Sequence, residues 1–294
     1  MISQVGAGVS VVTKFKKYPF LFVNLLIAPF LLGGCSSIGD SFSGGNSVAV
    51  TTDNSGATTV NIASLTEVIK NNPNDAGAYN TRGAAYARSR QYSKALADFN
   101  KAIQLNPKMA EGYANRALVY RQTGKSDAAL SDFTRAINVD GNYAPAYLGR
   151  GNLYRQRNNY DAALADLNTA IRLRPESAEA FHARGLLYQS QGQHQEAVLD
   201  FNTALDRNPF VAPPYLARGL SLNALGRYDK AIDDFNAALN VDKNLADAWA
   251  GRGFAYEKKN DRKSALESYQ GALSIDRGNA IARQGVGRLG NGLF

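Results

Sequence analysis

Tyr79-Asn80-Thr81-Arg82-Gly83-Ala84-Ala85-Tyr86 returns 34 residues later as Tyr113-Ala114-Asn115-Arg116-Ala117-Leu118-Val119-Tyr120. It returns again from Tyr147, Phe181, Tyr215 and Trp249. A fixed period of this size marks a solenoid, in which small units stack and bury their apolar faces on one another. Take the opening aromatic as position 4 of each unit. Position 8 is then Gly83, Ala117, Gly151, Gly185, Gly219 and Gly253, and position 11 is Tyr86, Tyr120, Tyr154, Tyr188, Leu222 and Tyr256. Positions 20 and 27 are alanine in all six units, and position 24 is Phe99, Phe133, Leu167, Phe201, Phe235 and Tyr269. Positions 4, 8 and 11 recur at helical spacing and make one face of a first helix; positions 20, 24 and 27 do the same on a second. The small residues let the helices approach while the aromatics interlock around them. Turn formers such as Gly124, Asn158-Asn159, Gly192 and Gly226 separate the two helices, and Pro107, Pro175 and Pro209 close three units.

This pattern resembles the tetratricopeptide repeat (TPR) in all six units, residues 76–279. The resemblance implies an all-α, right-handed superhelical solenoid of six helix pairs with flanking capping helices. Leu65, Val68 and Pro73 fall where positions 24, 27 and 32 of an earlier unit would lie. Residues 61–75 therefore read as an N-terminal capping helix, and residues 280–294 as a C-terminal capping helix and tail. Position 7 departs from the repeat's usual leucine: it is Arg82, Arg116, Arg150, Arg184, Arg218 and Arg252. Position 23 is Asp98, Asp132, Asp166, Asp200 and Asp234, then Ser268. The arginines could grip an acidic polymer, but the aspartates share their period, which favours an internal pair from first helix to second. Arg252 lacks its aspartate and is expected to turn to Glu267 or to a ligand.

The first sixty residues follow different rules. Lys14, Lys16 and Lys17 precede an apolar run from Tyr18 to Leu32, followed by Gly33, Gly34 and Cys35. A basic region, a short apolar run and small residues at a cleavage point make a secretory signal. Leu32-Gly33-Gly34-Cys35 resembles the lipobox of bacterial lipoproteins. That resemblance implies a signal peptide over 1–34, cleavage before Cys35, and fatty-acylation of this single cysteine. Two or more acyl chains make an anchor stable. Ser36 after the cysteine, in place of a retention aspartate, implies an outer-membrane lipoprotein facing the periplasm. Residues 35–60 are rich in Ser, Gly, Thr and Asn and read as a flexible tether, with a random-coil reach of roughly 25–30 Å. The chain carries a formal charge of +8, and removal of the three signal lysines leaves +5. Such an excess favours neutral or acidic partners weakly and gives no reason to expect nucleic acid.

No catalytic set stands out. His182 and His194 are the only histidines, and neither has metal-ligand company in the sequence. Gly124-Lys125-Ser126 ends like a phosphate loop, yet Val119 occupies the place of its first glycine. No metal, cofactor or enzymatic activity is expected. In the resembling family, positions 2, 5, 9, 12 and 13 of the first helices face a concave groove. Those positions hold Asn80, Arg88, Arg121, Asn152, Arg155 and His182, with Gln189, Asn223 and Lys258 beyond them. With Arg252 they are the candidate partner-binding residues. The expected function is a lipid-anchored scaffold that gathers envelope proteins, such as peptidoglycan enzymes or proteases. A pilotin or secretion-assembly lipoprotein is the alternative, and a carbohydrate-binding or enzyme accessory component a remote one.

Overall fold

The computed structural model describes residues 55–290, with side chains from residue 61 onward. Cys35, the signal segment, the tether up to residue 54 and the last four residues lie outside the described residues. Every described element is an α-helix. α1 (Ser55–Asn71) precedes six pairs: α2 (Ala76–Arg88) with α3 (Tyr92–Leu105), α4 (Ala110–Gln122) with α5 (Ser126–Val139), and α6 (Ala144–Gln156) with α7 (Tyr160–Leu173). They continue as α8 (Ala178–Ser190) with α9 (His194–Arg207), α10 (Ala212–Ala224) with α11 (Tyr228–Val241), and α12 (Ala246–Lys258) with α13 (Arg262–Ile275). A lone first-type helix, α14 (Ala280–Gly290), follows. α1 begins at Ser55, so helix extends into the stretch read above as tether.

Each first helix ends in the same way. In the first unit the N–H of Gln91 returns to the carbonyl of Tyr86 at 2.8 Å and that of Arg90 to Ala87 at 3.0 Å. This is a Schellman closure, which needs a left-handed residue at its corner. Gly124, Gly192 and Gly226 supply it with φ of 74°, 73° and 70°, whereas Arg90, Asn158 and Asn260 do so at φ 58°, 57° and 61°. The return loops use a second device. The side-chain oxygens of Asn106, Asp140, Asn208, Asp242 and Asp276 each accept the backbone N–H two residues on, at 2.8–3.2 Å. These are Asx turns, which stop the second helix and aim the chain at the next unit.

The core is a row of position-24 side chains. Phe99, Phe133, Leu167, Phe201, Phe235 and Tyr269 are all essentially fully buried. Burying one such side chain contributes about 1.5–3 kcal/mol. Phe235 shows how tightly the row is set. A Cβ on Gly219 of its own unit would come within 2.8 Å of the ring, and one on Gly251 of the next unit within 2.5 Å. The ring is thus clamped between two glycines, one at position 8 and one at position 6. First helices touch one another across units, α2 with α4 through to α12 with α14, whereas second helices do not. A stack closer on its first-helix side curves toward that side, so the first helices line the concave face.

Candidate functional site

Two polar systems run through the array, and they serve different ends. The first lies between the helices. Arg82, Arg116, Arg150, Arg184 and Arg218 each grip their own unit's aspartate in a bidentate fork. In Arg150, Nε donates to Asp166 Oδ2 at 2.7 Å and an Nη to Oδ1 at 2.9 Å. The third guanidinium nitrogen reaches back to the preceding second helix. Arg116 donates there to Asn100 Oδ1 at 2.6 Å, Arg184 to Asn168 at 2.7 Å and Arg218 to Asn202 at 2.7 Å. Arg82 uses Thr66 of α1 at 3.2 Å, which fixes the N-terminal helix to the first unit. The guanidinium planes also lie near the rings of positions 4 and 11, as Arg150 does at 5.9 Å from both Tyr147 and Tyr154. For Arg82, Arg116, Arg150 and Arg184 the hydrogen bond to aspartate raises the guanidinium pKa, with burial opposing it. The repeated arginine is therefore a bolt through three helices. Its third partner, the Asn or Thr at position 25, escaped the sequence reading, although the register Asn100, Thr134, Asn168, Asn202, Asn236 carries the signal.

Arg252 belongs to this system and not to the groove. Its Nε donates to Ser268 Oγ at 3.2 Å and its Nη1 to Asn236 Oδ1 at 2.7 Å. The guanidinium lies 4.4 Å from the Trp249 ring centroid. Without a carboxylate, burial lowers its pKa. The serine, the preceding asparagine and the indole have taken over the aspartate's role, and Glu267 acts only as a nearby charge.

The second system lines the first-helix face. Asn80, Arg88, Arg121, Asn152, Arg155 and His182 all stand there, each partly exposed. They differ in how far the fold already employs them. Asn80 Oδ1 accepts from Asn115 Nδ2 at 3.1 Å, which joins α2 to α4. Further along, Gln189 Nε2 donates to the Ala217 carbonyl and to Ser221 Oγ, both at 2.9 Å, and Asn223 Nδ2 donates to the Gly251 carbonyl at 2.9 Å. These amides staple α8 to α10 and α10 to α12. The His182 ring packs at 5.7 Å from that of Phe201. Burial holds its pKa down to about 4, and the charge on Arg155 adds to the effect. A neutral imidazole of this kind is neither a poised base nor a metal ligand with company: among the described residues no three His, Cys, Asp or Glu side chains converge on a metal-sized site. Interleaved with the polar side chains are Leu118, Leu148, Leu186, Leu220 and Phe254, all partly exposed. The face offers apolar surface, amides and cations, which is the chemistry of a binding surface.

Family models described as tetratricopeptide or TPR repeat match residues 76–109, 110–143, 151–192, 178–210, 219–260 and 246–279. The chain belongs to the tetratricopeptide repeat family. Among curated proteins none matches the sequence. Solved TPR structures do. A chain from the APC/C hetero-tetramer Cut9-Hcn1 is similar at 21% identity and TM-score 0.72, over 80% of this chain and 46% of that one, so this chain spans less than half of its length. YrrB, described as a TPR protein with an unusual peptide-binding site, is similar at 28% identity and TM-score 0.52, over 63% of this chain and 96% of its own. PilF of Pseudomonas aeruginosa is similar at 19% identity and TM-score 0.66, over 72% of this chain and 97% of its own. The first and third likenesses concern the fold alone. TPR folds are typically non-catalytic scaffolds that bind other proteins or peptides. Among the described residues no helix is long and apolar enough to cross a membrane.

Proposed function

We propose that this TPR array holds segments of partner proteins along its concave face and performs no chemistry of its own. One observation carries the reading. Three of the other rows are employed by the fold: position 24 by the core, position 7 by the inter-helix bolts, and position 12 of α8 and α10 by the staples. The row through Leu118, Asn152, Leu186, Leu220 and Phe254 stays partly exposed on five successive first helices, α4 to α12. A continuous strip of this kind suits an extended or helical segment. The likeness to YrrB, at 28% identity, supports the same use.

The setting is proposed from the N-terminal sequence. Cys35 receives the lipid, the stretch after it serves as a leash, and the array gathers proteins of the cell envelope, peptidoglycan enzymes and proteases among them, at the periplasmic face of the outer membrane. The Leu32-Gly33-Gly34-Cys35 string and the basic and apolar stretches before it support that setting. Metabolic labelling with a fatty acid tests it. Cys35→Ala is expected to abolish the label and release the protein from the membrane fraction; undiminished labelling would remove the anchor from the account. The scaffold itself is tested by affinity isolation with the intact protein and with Leu220→Arg. The substitution is expected to release partners without unfolding the chain. Unchanged partners would sink the groove reading.

A further inference from the structure

The concave face is not uniform, and its asymmetry says what kind of segment it takes. α2, α4 and α6 each place an arginine in their last turn: Arg88, Arg121 and Arg155. From position 5 to position 13 these three helices contain no Asp or Glu, and Glu111, at position 2 of α4, is the one acid at their groove positions. The aspartates of the second helices behind them are committed to the bolts. Arg88 makes no hydrogen bond or ion pair among the described residues, and burial alone lowers its pKa. A half-buried cation without an anion is a cost that the fold carries for no structural return. In α8 and α10 the corresponding place is taken by Gln189 and Asn223, whose amides are tied to the next helix's backbone. The row of arginines therefore stops at the third unit, and the exposed surface beyond it is that of Leu186, Leu220 and Phe254, with one cation, Lys258 of α12, lying over the Phe254 ring.

We infer that the groove reads an extended segment of a partner protein that is acidic along one half and apolar along the other. The acidic half lies on α2, α4 and α6 and the apolar half on α8, α10 and α12. The inference rests on the groove reading above and adds the chemistry of its occupant. The spacing follows from geometry. Neighbouring helices pack about 8–10 Å apart, and an extended chain advances about 3.3 Å per residue. A strand crossing the first helices thus meets successive arginines about every third residue. The expected pattern is three Asp or Glu residues spaced three apart, followed or preceded by large apolar residues at the same interval. Arginine suits carboxylates because its fork can donate two parallel hydrogen bonds.

The test uses fluorescently labelled synthetic peptides and the full-length protein in detergent, read by anisotropy at low and moderate salt. One peptide carries aspartates at every third position and then leucines at every third position; a second replaces the aspartates by asparagines. The acidic peptide is expected to bind about tenfold or more tightly than the amide one, with the advantage shrinking as salt screens the charges. Arg88→Gln, Arg121→Gln and Arg155→Gln combined should erase that advantage, whereas Arg90→Gln, at the outer turn, should leave it. Because Arg88 has no partner among the described residues, Arg88→Gln alone should keep the melting temperature and still weaken the acidic peptide severalfold. Equal binding of the two peptides, with both lost in Leu220→Arg, overturns the acidic half while the groove reading stands. Binding of neither peptide, or indifference to Leu220→Arg, overturns both. Equal competition by a single-stranded oligonucleotide of matched charge overturns the assignment to a protein segment.

Discussion

Arg150 shows what a single repeated residue can do in this fold. One guanidinium satisfies a carboxylate on its own second helix and a hydroxyl on the preceding one, Thr134 at 3.2 Å, while lying against two tyrosine rings. Because the pair is largely buried, removing one partner leaves a charge in a poor solvent. Asp166→Ala is expected to cost about 3 kcal/mol, measured by urea denaturation. Replacing Arg150 and Asp166 together by Met and Leu should recover most of that loss. Arg90 makes the opposite point. It sits at φ 58°, where three of the other turns use glycine. Arg90→Gly should stabilise the chain by about 1 kcal/mol, since the left-handed region costs an L-residue about that much. His182 adds a pH dependence of known sign. Its folded pKa, about 4, lies below the ordinary value of 6.5, so the unfolded chain binds the proton first as pH falls. Stability present above pH 6.5 is lost between there and pH 4, on the order of 3 kcal/mol at most. A comparison of melting curves at pH 7 and pH 4.5 should show a smaller drop for His182→Gln than for the parent. The arginine–aspartate pairing was legible in the sequence, because both members share one period. The third partner at position 25 was equally periodic but could not be read, because it bonds to the following unit and helix spacing within one unit says nothing about that reach.

At the scale of the helix, what distinguishes the last element is a clasp. Arg288 of α14 forks onto Glu257 of α12, both bonds at 2.8 Å, and Tyr269 donates its hydroxyl to the same carboxylate at 2.6 Å. Burial and the bond to Glu257 push the Tyr269 phenol well above its usual pKa, while Arg288 pulls that of Glu257 down. Tyr269 stands where four of the other five units have Phe, and its hydroxyl is what lets a core residue also hold the cap. The sequence showed the capping helix as a truncated first helix that starts in register at Ala280. The clasp was not, because it joins residues 31 positions apart that no repeat pattern relates. Gly285 leaves no room at this junction: a Cβ there would lie 2.2 Å from the Tyr269 ring. Gly285→Ala is therefore expected to loosen α14 and cost about 1–3 kcal/mol. The groove face was legible only through its resemblance to the family. Position alone could not tell Asn80, which holds α4, from Arg88, which holds nothing among the described residues.

Across the whole array, each unit leans only on its neighbours, so stability is close to a sum of unit and interface terms. Trp249 is the single tryptophan and sits in the sixth unit, so its fluorescence reports that end alone. In Gly285→Ala the fluorescence transition should move to lower urea than the circular-dichroism midpoint. Coincident transitions would contradict the local picture. The same one-dimensional build is what lets one concave face carry two chemistries in sequence, cationic and then apolar, without disturbing the core behind it. Site-specific photo-crosslinking in living cells tests this most directly, with the probe placed at Asn152 and Leu220 on the concave face and at Leu199 on the second-helix side, a residue 66% exposed on α9. The account predicts that Asn152 and Leu220 capture the same partner protein and that Leu199 captures none of it. Capture from Leu199, with nothing from either groove position, would contradict it.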